Sequence, residues 1–378
     1  MQEDKSPGLT ILLKNKLKKY AKNNKHGGRR QHLFFLGVLI FITAVGRLDI
    51  RTEAKVPAFI TAEIGEFNRE NSMSVALMGS LSLLPSPDKS VFSDNGGLGE
   101  IFNSADLNIL SLDVPLLTAE ANADSSKRLL EELAQKDIRL LQISGNGIYQ
   151  QGLTGVASTL SSLQEHNFHA LGAGLNLEEA FSPYHMEKSA RKISFLALNG
   201  FLPSGCKAGK NRLGTAYFDE EVLSRLISGL TRDGSLVFAV VSFQEGTSFV
   251  PAPSERELAR RLVDMGAKYV VGTGTGIVRE TEQYKDGVIF YGLGDLTPRK
   301  CYSFFKEALL LKFFFYADAD PEVIAFPLVL KKGGWAVSNG YSRTEKLAAY
   351  KIFLRLNGDK AWENAGDYFI LKPVETKL

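Results

Sequence analysis

The side chains that could do chemistry in this sequence follow its predicted strands, at the points where a strand gives way to a loop. The candidates for a catalytic role are two carboxylates and two amides: Asp113, Asn146, Gln244 and Asp295. The candidates for ligand binding are three hydroxyls: Ser80, Thr273 and Thr275. If the two carboxylates converge, they provide an acid and a base; otherwise they accept hydrogen bonds from loop amides.

The histidines lie away from these strand ends. Two are in the N-terminal segment and three lie between the third and fourth predicted strands: His26, His32, His166, His169 and His185. A hydrolytic divalent cation needs several imidazole or carboxylate ligands, so the sequence predicts neither a metal site nor another cofactor. His166 and His169 have the spacing of a ligand pair, with a solvated helix face as the alternative. Gly-x-Ser-x-Gly is absent, which leaves a Ser-His-Asp hydrolase without support.

The glycine-rich loop Gly272–Gly276 has two interpretations. Its backbone amides could cradle a phosphate, as successive amides do in other anion sites. It lacks both the Gly-Lys-Ser/Thr end of a P-loop and the Gly-x-Gly-x-x-Gly spacing of a dinucleotide site. The alternative is an ordinary loop of small residues.

Short apolar runs alternate with amphipathic stretches from Met73 onward, which is the pattern of an α/β domain. We predict strands near 74–78, 107–112, 138–143, 193–198, 236–242, 268–271 and 287–291. We predict helices near 125–136, 154–166, 219–230, 254–265 and 343–355, the fourth opened by a capping box of Ser254 and Glu257. Later apolar runs predict an antiparallel sheet from 308–316, 323–330 and 367–371.

The charge distribution divides the chain. Residues 1–32 hold nine Lys or Arg against Glu3 and Asp4, while the later residues hold 36 basic and 40 acidic side chains. The slightly acidic body argues against a nucleic-acid binder.

The uncharged run 33–46 predicts a membrane anchor, with a cleaved signal peptide as the alternative. The basic residues place 1–32 in the cytoplasm. Residues 47–72 are then a stalk and residues 73–378 an extracytoplasmic domain.

The cysteines and the C-terminal aromatic residues each leave two alternatives. Cys206 and Cys301 both follow strand ends, so an extracytoplasmic disulfide and two free thiols are compatible with the sequence. The aromatic residues are expected to pack in the C-terminal sheet, the alternative being an exposed patch that faces a membrane or a partner. They are Phe304, Phe305, Phe313, Phe314, Phe315 and Tyr316.

Several segments resemble the CapA family of polyglutamate-capsule proteins. The segment Gly152–Leu163 resembles the family's Gly-x-x-x-Thr-Leu-x-x-Leu helix. Further similar segments are 105–115, Leu171–Gly174 with Glu179-Ala180, Leu258–Gly272 and Val288–Asp295. The resemblance implies a body similar to calcineurin-like metallophosphoesterases, an α/β sandwich of mixed sheets flanked by helices and preceded by an N-terminal membrane helix.

The departures from the family pattern fall on its metal ligands. The family's Gly-Asp after the first strand is Gly79-Ser80 here, and its Asn-x-Glu site keeps a carboxylate only at Asp113. Its histidine-containing segments have lost every histidine and stand as Gly145-Asn146-Gly147, Gln244-Glu245-Gly246 and Gly272–Gly276. The resemblance therefore implies the family scaffold without the family's divalent cation.

Together with the predicted anchor, the resemblance implies a single-pass cell-membrane protein that acts in poly-γ-glutamate capsule synthesis or export. The expected role is that of a pseudoenzyme, a non-catalytic binding or assembly subunit beside integral-membrane synthase subunits. The polyglutamate polymer is a ligand in this hypothesis if local cations offset the acidic body, and the candidates are Lys207, Lys210, Arg212, Arg299 and Lys300. The alternative is a residual hydrolase or transferase that acts on the polymer or on a phosphoester.

Overall fold

The computed structural model describes nine ranges of the chain: residues 72–86, 89–92, 97–116, 123–188, 191–297, 306–331, 334–338, 343–357 and 361–372. The predicted tail, anchor and all but the last residue of the stalk lie outside these ranges. Within them, no helix is long and apolar enough to cross a membrane.

The described elements alternate between strand and helix over most of the chain. The strands are β1 (Ser72–Leu81), β2 (Leu107–Leu112), β3 (Ile138–Gln142), β4 (His169–Leu171), β5 (Ala173–Gly174), β6 (Tyr184–Lys188), β7 (Arg191–Asn199), β8 (Gly214–Thr215), β9 (Ser235–Ser242), β10 (Tyr269–Thr273), β11 (Thr281–Tyr284), β12 (Gly287–Phe290), β13 (Glu307–Tyr316), β14 (Glu322–Lys331), β15 (Gly334–Val337), β16 (Trp362–Asn364) and β17 (Phe369–Leu371). The α-helices are α1 (Leu98–Asn103), α2 (Ala123–Gln135), α3 (Gly152–Glu165), α4 (Leu177–Ala180), α5 (Glu220–Arg232), α6 (Pro253–Asp264) and α7 (Arg343–Leu356).

Two mixed sheets form the body. The first has the order β16-β17-β14-β13-β1-β2-β3-β4, with β15 paired to β14; β1 to β4 are parallel, and β13 joins β1 antiparallel. The second has the order β11-β12-β10-β9-β7-β6, with a parallel centre and antiparallel edges. The short strands β5 and β8 pair separately.

The two sheets pack face to face, and helices cover their outer faces. Side chains alternate along a strand, so Val75 and Leu77 of β1 join the core between the sheets, whereas Ala76 and Met78 join the core under α1, α2 and α3. The outer face of the second sheet packs against α5 and α6. The α/β sandwich of mixed sheets flanked by helices that the sequence predicts is confirmed for the described residues.

The aromatic residues of β13 are part of this core. Phe313, Phe314 and Phe315 are at most 1% exposed. Phe313 packs its ring against Phe238 and Tyr269 of the second sheet, with both centroid distances at 5.0 Å. Core packing is confirmed for these three phenylalanines, while Phe304 and Phe305 lie outside the described residues.

The start of α6 differs from the predicted capping box. The helix begins at Pro253, and Glu255 accepts a hydrogen bond from the Ala252 amide (2.7 Å). The prediction with Ser254 and Glu257 was therefore wrong by two residues. Pro253 at the first helical position has no amide hydrogen and a fixed φ, which favours a helix start there. Glu257 instead pairs with Arg261 one turn later.

Candidate functional site

The carboxyl ends of the parallel strands from both sheets meet at one edge of the sandwich. Hydrogen bonds join them: the Gly274 amide to Ser80 Oγ (2.9 Å), Thr273 Oγ1 to Gln142 Oε1 (3.0 Å) and Asn199 Nδ2 to the Ser144 carbonyl (2.8 Å). We call this edge the strand-end site; it consists of residues 80–82, 113, 142–147, 199, 244, 273–275 and 295. It contains all seven candidates named from the sequence.

Asp113 follows β2 and holds the turn after β3. Its Oδ1 accepts a hydrogen bond from the Gly147 amide at 2.6 Å, and its own amide donates to the Leu81 carbonyl at 2.8 Å. Both glycines beside Asn146 are sterically required. A Cβ on Gly145 would lie 2.0 Å from Asp113 Oδ1, and one on Gly147 would lie 1.9 Å from the Asp113 carbonyl oxygen.

Asp295 forms a second network at the end of β1. Its carboxylate accepts hydrogen bonds from the Ser82 hydroxyl (2.5 Å) and from the Thr297 amide (2.8 Å). Thr297 Oγ1 in turn accepts from the amides of Ser82 and Leu83, at 2.8 and 2.9 Å. Asp113 and Asp295 thus flank the same strand end, and each holds a different loop in place.

The two candidate amides have different environments. Asn146 Oδ1 accepts a hydrogen bond from Asn199 Nδ2 (3.0 Å), and Asn199 is fully buried. This hydrogen bond connects Asn146 to β7 of the second sheet. Gln244 is exposed, and its backbone carbonyl accepts from Arg279 Nη2 at 3.3 Å. Gln244 thus lies at the rim of the site.

The three candidate hydroxyls are buried and already have partners. Ser80 and Thr273 bond to the Gly274 amide and to Gln142 as described above, and Thr275 Oγ1 donates to the Ile277 carbonyl (2.8 Å). None of the three is more than 1% exposed. The Gly274 amide, which a phosphate cradle would need, is directed to Ser80 within the fold.

The described histidines lie toward the other edge of the sheets. His169 is the first residue of β4, and His166 Nδ1 lies 2.8 Å from the Ser162 carbonyl at the end of α3. His185 Nδ1 lies 2.9 Å from Ser194 Oγ, near the start of β7. Since the strand-end site is at the carboxyl ends of these strands, the structure brings no described imidazole to it.

These side chains do not fit a hydrolytic divalent cation of the kind that the family's own ligands would hold. Among the described residues, no group of three or more His, Cys, Asp and Glu side chains could hold a metal ion. The carboxylates of Asp113 and Asp295 accept hydrogen bonds from a backbone amide and from hydroxyl and amide groups. Turning either toward a cation would break hydrogen bonds to a charged group, each worth about 1.5–3 kcal/mol.

Sequence reasoning did not include among the site candidates two residues that tie the two sheets together. Gln142 and Asn199 are polar and fully buried at the ends of apolar strands. A polar residue that closes an apolar run is the signal that could have marked them. Behind the exposed Gln244, the buried guanidinium of Arg279 pairs with the buried carboxylate of Glu255 at 2.8 Å. Neither partner was singled out, because only the fold brings them together.

Two surface cavities lie away from the strand-end site. One of about 810 Å³ is lined by arginines of α6 together with Val250 and Tyr284. Another of about 630 Å³ lies between α3 and β4, beside Phe168 and Leu175. The strand-end site lines neither of them.

The fold and this site define a two-sheet α/β protein whose strand-end site carries hydroxyls, amides and single carboxylates and no imidazole among the described residues. The sequence model of the family described as bacterial capsule synthesis protein PGA_cap matches residues 85–298, more than half of the chain. The chain belongs to this family. The family predicted from the sequence is thereby confirmed.

Two curated relatives are similar over part of their length. The chain is 22% identical over 213 residues to "Capsule biosynthesis protein CapA" of Bacillus anthracis, covering 55% of this chain and 52% of that protein. It is 24% identical over 195 residues to "PGA biosynthesis protein CapA" of Bacillus subtilis (strain 168), covering 51% of each. The chain thus spans about half the length of these relatives.

Solved structures with a similar arrangement are more distant. The NAD nucleotidase NadN of Haemophilus influenzae aligns with a TM-score of 0.45 and 9% identity, over 74% of this chain and 62% of that one. The 5'-nucleotidase precursor of Thermus thermophilus aligns with a TM-score of 0.43 and 13% identity, over 75% and 58%.

Proposed function

We propose that this chain acts in the synthesis or export of a poly-γ-glutamate capsule as a non-catalytic binding or assembly subunit. Family membership supports the capsule role. One observation at the strand-end site carries the non-catalytic role: its carboxylates and hydroxyls hydrogen-bond to one another and to the surrounding loops. Breaking these hydrogen bonds so that the groups could act on a substrate would cost free energy. The site therefore suits a rigid scaffold better than a reaction centre.

In this proposal, residues 33–46 anchor the chain in the cell membrane. The basic residues before them keep the N-terminus in the cytoplasm, so the α/β domain lies outside. The partners are integral-membrane subunits of the capsule synthase, because a domain tethered at the membrane surface lies beside proteins embedded in it. The family's divalent cation has no part in this role.

Capsule formation in cells tests the proposal. We expect a strain that lacks this gene to lose its capsule and the wild-type chain to restore it. Four single variants should restore it to the same level: Asp113→Asn, Asn146→Ala, Gln244→Ala and Asp295→Asn. The asparagine replacements keep the shape of each carboxylate, and thermal unfolding of each purified variant checks that it folds.

A direct assay tests the same idea without cells. The purified chain is assayed for bound divalent metal and for cleavage of phosphoesters and γ-glutamyl bonds in the presence of Mg²⁺, Mn²⁺ or Zn²⁺. We expect no stoichiometric metal and no cleavage above the protein-free rate. A stoichiometric ion together with a rate that Asp113→Asn abolishes would contradict the proposal. So would a normal capsule in the strain that lacks the gene.

A further inference from the structure

A short basic turn lies beside the strand-end site. Residues 197–218 contain three cationic side chains and neither Asp nor Glu: Lys207, Lys210 and Arg212. We call residues 207–212 the basic turn. Lys210 and Arg212 are exposed, Lys207 is half-buried, and none of them forms an ion pair with a described acidic residue. This concentration of charge is local, since the residues after the N-terminal tail are slightly acidic.

The fold fixes the basic turn in place. Gly209 and Arg212 exchange two backbone hydrogen bonds (3.0 and 3.2 Å), which close the turn. The Leu177 amide of α4 donates to the Gly209 carbonyl at 2.8 Å. The following strand β8 pairs with β5. A turn anchored in this way loses little conformational freedom when it binds a ligand.

Tyr149 connects the turn to the strand-end site. It follows Asn146 by three residues, and its hydroxyl donates to the Cys206 carbonyl (2.5 Å) and contacts Thr215 Oγ1. Burial raises the pKa of Tyr149 to about 12, so the phenol keeps its proton and remains a donor at neutral pH. The basic turn is thus a fixed extension of the loop after β3.

The cationic side chains are themselves oriented. Lys207 Nζ lies 4.3 Å from the centre of the Tyr217 ring, and Arg212 Nη2 donates to the Lys207 carbonyl at 2.9 Å. Cation–π contact holds an ammonium in place without neutralising its charge. Both side chains therefore present charge from a defined position.

The arginines of α6 show the contrast. Arg256 pairs with Glu280 and Glu282, and Arg261 pairs with Glu220 and Glu257. Those guanidinium groups are neutralised within the fold, so an incoming anion would compete with built-in carboxylates. The basic turn offers charge with no such competitor among the described acidic residues.

We propose that Lys207, Lys210 and Arg212 bind carboxylates of a linear acidic polymer at the edge of the strand-end site. The inference rests on the proposed function, which supplies poly-γ-glutamate as the polymer. Nucleic-acid sites commonly neutralise about six to ten phosphates, and three cations on an acidic body fall short of that. A short run of carboxylates matches the charge of the turn.

Binding of labelled poly-γ-glutamate to the purified full chain tests the site by fluorescence anisotropy at low salt. A triple variant replaces Lys207, Lys210 and Arg212 by Gln. The matched control replaces three exposed cations elsewhere by Gln: Lys127 of α2, Arg232 of α5 and Lys351 of α7. Since an exposed ion pair contributes little singly but three are removed together, we expect the first variant to bind about tenfold more weakly and the control to change less than about twofold.

Equal weakening in both triple variants would overturn the inference, because it would indicate general electrostatics. So would a wild-type chain that does not bind the polymer, or one that binds inorganic polyphosphate or single-stranded DNA equally tightly with the same dependence on the turn. Should the triple variant not fold, Lys210→Glu at the exposed tip of the turn replaces it, with Lys351→Glu as its control. We expect at least about fivefold weaker binding for the first alone.

The two proposals can fail separately. The proposed function fails if a strain without the gene keeps its capsule. The inference about the basic turn fails if the variants in the turn and the controls bind the polymer alike, whatever the strain does.

Discussion

At the scale of single residues, the carboxylate and the backbone carbonyl of Asp113 determine which neighbours are tolerated. The backbone of the turn after β3 approaches it so closely that neither Gly145 nor Gly147 has room for a side chain. The sequence pattern Gly-Asn-Gly is therefore explained by packing. No ligand is needed to account for it.

We predict that Gly147→Ala destabilises the protein by about 1–3 kcal/mol, the usual result of forcing an extra methyl group into a filled space. Gly229→Ala in α5 is the matched control. Nothing lies within 4 Å of its added Cβ, so the better helix propensity of alanine should stabilise the protein by up to about 1 kcal/mol. Urea unfolding at neutral pH measures both, and an unchanged midpoint for Gly147→Ala would contradict the packing argument.

Lys312 is a cation inside the core. It is fully buried on β13, and its ammonium donates to the carbonyl (3.1 Å) and the hydroxyl (2.7 Å) of Ser104, which follows α1. Burial lowers the pKa of Lys312 to about 8, against a weaker opposing effect of Asp106. The charged form of Lys312 is thus less stable in the folded protein than in water.

This pKa predicts how stability depends on pH. Between about pH 8 and the ordinary lysine pKa of 10.5, the unfolded chain binds more protons than the folded one, so the free energy of unfolding rises with pH. Full titration of this one group would add about 3 kcal/mol.

Lys312→Met removes the titrating group while keeping a long apolar side chain. Urea unfolding of both proteins at pH 7 and at pH 9.5 cancels the contributions of all other groups when the two are compared. We expect the wild type to gain stability relative to the variant over this interval. A constant difference would mean that the lysine titrates alike in both states.

At the scale of elements, the start of α6 is fastened to the segment after the glycine-rich loop. Glu255 in the first turn of α6 accepts from the Ala252 amide, and both of its oxygens accept from Arg279 Nη1 at 3.0 and 2.8 Å. The pair is almost fully buried. Because Arg279 also donates to the Gln244 carbonyl, this buried ion pair holds the exposed segment around Gln244 in position.

We predict that Arg279→Met alone destabilises the protein by about 3–5 kcal/mol, because it leaves the Glu255 carboxylate buried without its partner. The double variant Arg279→Met, Glu255→Gln should lose less than the sum of its two single variants. A double-mutant cycle from urea unfolding measures this coupling. Strict additivity would show that the two side chains do not depend on each other.

At the scale of the whole molecule, regular patterning made the strands predictable. The predicted strand 107–112 is β2 itself, and those near 138–143 and 236–242 match β3 and β9 within one residue. Buried parallel strands are short apolar runs bounded by turn residues, which can be recognised without tertiary information. Short elements such as β4, β5 and β8 were missed, since two or three residues show no period.

The partners of the site residues could not be predicted in the same way. Thr273 and Gln142 are 131 positions apart in sequence, and Asn199 and Ser144 are 55 apart. Composition and spacing indicated which polar groups follow strands. They carry no information on whether those groups face a ligand or each other, because that depends on how the two sheets align.

The pairing of β1 has a consequence for synthesis of the chain. One neighbour of this central strand, β2, follows soon after it, but the other, β13, begins more than two hundred residues later. Until the ribosome has made that distant partner, β1 keeps an open row of amide and carbonyl groups available to other chains. Completion of the larger sheet is therefore a late, non-local event, and a nascent chain stalled before its final hundred residues is the form most exposed to aggregation.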